Sequence, residues 1–151
     1  MDVQQSNPFQ TPQADLQPAT TTRSPLYSIA GIGVATFIGT PLAGAWLLAH
    51  NLQLLGKADR VALVWGLSVV LLLVTLVLAF VLPESVPAMP FAIAQLMAMI
   101  MLAKNLVEAD LKQHAEAGGA VLSNWRAAGI GLMFTIGLAA LMFAVLMMFD
   151  I

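Results

Sequence analysis

No cysteine occurs anywhere in this chain, which excludes disulfides, thiolate metal sites and cysteine nucleophiles together. Charge is the second scarcity. Only 9% of the 151 residues are Asp, Glu, Lys or Arg, where a soluble domain carries about a quarter. The net charge of −2 offers no basic surface for nucleic acid. Charge is also missing from four particular places, the apolar stretches 28–49, 61–82, 86–103 and 127–149. None of them keeps an acid or base at depth, and intramembrane catalysis and proton relays both depend on such groups. The serines and threonines that remain there have no His or Lys partner to activate them as nucleophiles. The chain is therefore not expected to be an enzyme, and no cofactor or metal is expected of it.

What the chain has in quantity is hydrophobic length, with 60% of its residues apolar. A bilayer core about 30 Å thick needs roughly 20 apolar residues per helical span. The expected fold class is all-α: a four-helix transmembrane bundle over 28–151, with a disordered N-terminal tail over 1–27 and a cytoplasmic helical extension after the third span. The first stretch is longer than a signal-peptide core and its leader is not basic, so it is expected to stay in the protein. The second, built mainly of Leu and Val, inserts unaided. The third is weakest, because Pro87 and Pro90 crowd its start and Gln95 lies inside it. A full span leaning on its neighbours is expected there, with a re-entrant hairpin as the alternative.

If all four stretches cross, loops 50–60 and 104–126 share one side and hold Lys57, Arg60, Lys104, Lys112 and Arg126. The opposite side holds Arg23 alone. The positive-inside rule then makes those loops cytoplasmic and both termini periplasmic. Trp46, Trp65 and Trp125 fall near the cytoplasmic interface on this reading, and Tyr27 near the other. The leading segment carries Pro8, Pro12, Pro18 and Pro25 among Gln, Thr and Ser, a composition with too little to bury. Its NPFQTPQADLQP run reads either as a solvated leader or as a stiff partner motif.

Small residues recur every four positions at Gly31, Ala35, Gly39 and Ala43, and again at Ala127, Gly131, Thr135 and Ala139. In lipid, helices associate through such faces because they let backbones approach closely. The first and last spans are thus the expected packing pair, within one bundle or between subunits. Pro41 predicts a kink in the first span, with Thr36 and Thr40 near the freed backbone groups. The stretches 31–39 and 129–137 share a G-I-G-x4-I-G spacing, but an inverted repeat would also need matching middle spans, and these differ.

Beyond the third span, Lys104, Glu108, Lys112 and Glu116 step by four, which puts alternating charges on one helical face as a candidate cytoplasmic contact surface. Ala103, Val107 and Leu111 then turn inward, and the helix ends before Gly118 and Gly119. Asp110 and His114 are spaced as ligands, yet two are too few for a metal site. Met97, Met99, Met101, Met147 and Met148 suit adaptable packing better than Cu(I) in a chain without cysteine.

The run Gly39-Thr40-Pro41-Leu42-Ala43-Gly44, followed by Leu47-Leu48, Asn51 and Leu55-Gly56, resembles a motif of small bacterial inner-membrane proteins, approximately G-x-P-L-A-G-x-x-L-L-x-x-N-x-x-x-L-G. Trp125-Arg126-Ala127 with Gly129-Ile130-Gly131 looks like the same group. The resemblance covers the first hairpin well and the last span loosely; it implies a bacterial inner-membrane location and no activity. The expected function is an accessory or interaction protein whose partners are the lipid bilayer and either another membrane protein or a second copy of itself. An immunity-type protein that binds a toxin is one alternative. A small transporter or channel subunit is the other, and it requires Thr36, Thr40, Gln95 and Thr135 to line one path.

Overall fold

Residues 24–83 and 85–149 are described by the computed structural model. Four long helices dominate them: α1 (Ile29–Leu54), α2 (Val61–Val81), α3 (Met89–Glu116) and α4 (Asn124–Phe149). Two-residue strands β1 (Leu26–Tyr27) and β2 (Val121–Leu122) precede α1 and α4 and pair in parallel. The fold class is the expected all-α four-helix bundle, and by total length and composition alone each of the four helices is long and apolar enough to cross a membrane. The expectation of disorder over 1–27 falls partly outside the described residues. Within them it is corrected, since Leu26 and Tyr27 are ordered in β1 and almost fully buried.

The break that Pro41 predicts in the first stretch is found in α1, and it is a reversal of the chain rather than a modest kink. Tyr27 N donates to Asn51 Oδ1 at 2.9 Å and Asn51 Nδ2 donates to Tyr27 O at 2.7 Å. The two residues are 24 apart in sequence, which a straight helix would spread over about 36 Å. The reversal occurs at Thr40, whose φ of 78° and ψ of 167° interrupt the helix. Pro41 explains the place, because proline disfavours the α conformation at the residue before it and is itself suited to a helix's first turn. Gly44 explains the closeness: a Cβ there would collide with the Thr36 hydroxyl, so with Thr36 opposite it a glycine lets the halves 29–39 and 41–54 lie against each other. A fold-back was the alternative expected of the third stretch; it is found in the first.

This doubled α1 is the centre of the molecule. In its membrane-length window 67% of residues are buried, against 6% for α4. It packs most extensively on α4, then α3, then α2, whereas α2 and α3 meet only slightly. The core is correspondingly drawn from α1, with Ile32, Ala35, Leu47, Leu48 and Leu52 all fully buried and Val64, Met99, Val107 and Ala127 closing in from the other helices. α3 starts at Met89 with Pro90 in its first turn and continues past its apolar part to Glu116, as the four-residue charge spacing implies. Ser24 and the β1–β2 pair lie at the end of the bundle where α1 both begins and finishes. α2 runs away from that end, α3 returns to it, and α4 runs away again for about 39 Å.

Candidate functional site

A cluster of polar side chains, among them Ser28, Asn51, Lys57, Asp110 and His114, lies at that one end. Tyr27 is held by the Asn51 carboxamide, which offers one donor and one acceptor, the same pair a neighbouring strand would offer. Leu26 N donates to Ala120 O at 3.2 Å, tying β1 to the segment before β2. The His114 ring reaches the same carbonyl through Nε2 at 3.0 Å. Ser28 caps the first half of α1 by accepting from Gly31 N at 2.9 Å, and its hydroxyl donates to Asn124 Oδ1 at 3.1 Å, next to the start of α4. Lys57, placed by the left-handed turn at Gly56 (φ 73°), bridges to α3 through Asp110 at 2.6 Å and the Leu106 carbonyl at 3.0 Å. The His50 ring packs edge-on to Tyr27 and stacks on Trp46. Tyr27 therefore sits with the tryptophan-bearing end and not, as the sequence suggested, across from it.

Between these ties opens a cleft of about 410 Å³ lined by Ser24, Leu26, Leu54, Leu55, Asp110, Gln113 and His114. Asp110 and His114 do share it, but no group of three metal-ligating side chains occurs among the described residues. The outer face of α3 carries Lys104, Glu108, Lys112 and Glu116, with Lys112 on Glu108 at 3.0 Å. That hydrogen bond, and then the Lys112 charge, hold the Glu108 carboxyl below its usual range. A lowered carboxyl pKa adds stability above the range of the unfolded group and loses it as pH falls through the folded value. The pair is solvent-accessible, so the effect is local and small. Ala103 and Val107 are fully buried on the opposite face, and Leu111 is half-buried.

The small-residue positions divide at the reversal. A Cβ on Gly31 would meet Asn124 and Ala127, one on Gly39 would collide with the Gly131 backbone, and one on Gly131 would come within 3.0 Å of the Ala35 carbonyl. Thr135 adds a hydrogen bond from its hydroxyl to the Ile38 carbonyl. Gly31, Ala35 and Gly39 thus face Ala127, Gly131 and Thr135. Ala43, past Thr40, is buried in the returning half and leaves this line, while Ala139 lies exposed. The two G-I-G segments run side by side in the same direction, which is not an inverted relation.

The polar residues of the apolar stretches do not converge. Thr36 donates to the Ile32 carbonyl between the halves of α1. Gln95 pairs with Thr75 between α3 and α2, and Ser68 touches Met99 nearby. Thr135 sits between α4 and α1. Of the methionines singled out, Met99 is buried, while Met97 and Met101 on α3 and Met147 and Met148 on α4 are exposed. Sequence reasoning gave no structural role to Asn51, which joins the two ends of the hairpin through Tyr27. Its one signal was its place in the G-x-P-L-A-G motif, since a lone Asn at a helix end otherwise reads as interfacial. No family model, no curated protein and no solved structure matches the chain.

Proposed function

We propose that this protein is a non-enzymatic accessory subunit of a bacterial inner membrane, acting by presenting helix faces to another membrane protein or to a second copy of itself. The observation that carries the reading is the uneven packing of the bundle. α2, α3 and α4 each lean on α1 and scarcely on one another, and past the hairpin tip α4 exposes Phe143, Leu146, Met147 and Met148. A four-helix protein complete in itself would bury a common seam along its whole length. Helices in lipid gain nothing hydrophobic by meeting, so a face left without packing at this depth is available to a partner that supplies shape fit.

The transport alternative draws no support from the polar side chains. Thr36, Gln95 and Thr135 belong to three separate interfaces and each already has a hydrogen-bond partner. The test is photo-crosslinking in native membranes from a probe placed at Phe143 or Met147, followed by mass analysis. Discrete protein adducts, whether a second copy or another chain, are expected. Adducts with lipid alone reject the role.

A further inference from the structure

We infer that Ile29–Leu54 is a re-entrant hairpin that enters and leaves the membrane by one face, so that the chain crosses three times and its N-terminal arm lies opposite its C-terminus. Length is the first argument. The halves 29–39 and 41–54 extend about 16 and 21 Å, too short for a hydrocarbon core of about 30 Å, whereas α2 alone reaches about 31 Å. Position is the second. The open end of the hairpin is fastened by Asn51 to Tyr27, and its neighbour Leu26 to Ala120. The closed end, Thr40 and Leu42, borders an open groove with Met133, Phe134, Gly137 and Leu141, partway along α4. Polarity follows the same gradient: Ser28, His50, Asn51 and Gln53 mark the open end, and apolar or small residues fill the way to the tip.

Charge supplies an independent argument. With four crossings Arg23 is stranded away from the other cations. With three, Arg23 joins Lys57, Arg60, Lys104, Lys112 and Arg126, which places all six Lys and Arg of the chain on one face. The far loop, 83–88, contains no cation. A bias that is complete fixes the cation-rich face as cytoplasmic under the positive-inside rule, and the N-terminal arm goes with it. This arrangement stands apart from the accessory role, since it holds for any activity the protein has.

The test uses the full chain, whose lack of cysteine leaves no background. Single substitutions Ser6→Cys, Ser85→Cys and Ser123→Cys are probed in intact cells with a membrane-impermeant thiol reagent, then again after permeabilisation. Ser85→Cys is expected to label in intact cells, and Ser6→Cys and Ser123→Cys only after permeabilisation. Labelling of Ser6→Cys together with Ser85→Cys overturns the three-crossing topology, and labelling of Ser6→Cys and Ser123→Cys alone overturns the cytoplasmic assignment. A second variant tests the hairpin directly. In Thr36→Cys/Gly44→Cys the β-carbons lie about 3.3 Å apart, whereas in a continuous helix the two positions are about 12 Å apart, beyond disulfide reach. Oxidation is expected to remove both free thiols with no change in chain number; thiols that stay reduced overturn the hairpin.

Discussion

Thr40 and Asn51 carry the hairpin between them, one at each end. Thr40 occupies a backbone region that is nearly reserved for glycine (φ 78°, ψ 167°) and costs on the order of 1–3 kcal/mol for other residues. Thr40→Gly is therefore expected to stabilise the protein by about 1 kcal/mol, read as a higher midpoint in thermal or detergent unfolding. Lower stability would mean that the Thr40 side chain contributes more than its backbone costs. Asn51 works in the other direction. It is fully buried, and both of its amide groups serve Tyr27. Replacement by Leu strands one buried N–H and one buried C=O, at about 1–3 kcal/mol each. Asn51→Leu should lower the unfolding midpoint by far more than Asn105→Leu on the exposed surface of α3, and equal effects would mean that Asn51 does not hold the open end of the hairpin.

At the scale of elements, the contact between the first half of α1 and α4 is set by backbones rather than side chains. Gly39 faces the Gly131 backbone with no room for a Cβ, but the same atom on Gly137 would meet open space. Gly39→Leu is expected to cost several kcal/mol through overpacking that cannot be relieved by a rotamer change, while Gly137→Leu leaves folding intact. Comparable expression and unfolding of the two variants would show that the stripe packs nothing. These helices also show what sequence reveals and what it conceals. The four apolar stretches, the charged extension from Lys104 to Glu116, and the pairing of Gly31, Ala35 and Gly39 with Ala127, Gly131 and Thr135 follow from periodicity and composition, which are local properties. The fold-back does not. A run of apolar residues long enough to cross reads the same whether it goes through or turns round, and Pro41 signals a break without its angle. What decides is the meeting of Tyr27 with Asn51 and of Thr36 with Gly44, contacts between positions that no helical repeat relates.

For the molecule as a whole, the hairpin fills the space between the three long helices over only part of their length. Stability is thus expected to be graded along the membrane normal, with the polar clasp and the hairpin forming the most protected unit. Hydrogen exchange in detergent should reach the amides of 138–149 in α4 sooner than those of 41–52, although both are helical. Uniform protection would indicate a cooperative unit that extends beyond the hairpin. The same geometry governs how the protein is made. On the three-crossing topology inferred above, a hairpin that returns to its own face carries nothing across, and of the segments that join the four helices only the short turn between α2 and α3 is moved through the membrane. On that topology the joining segments 55–60 and 117–123, with the clasp residues beside them, stay on the side where they were synthesised.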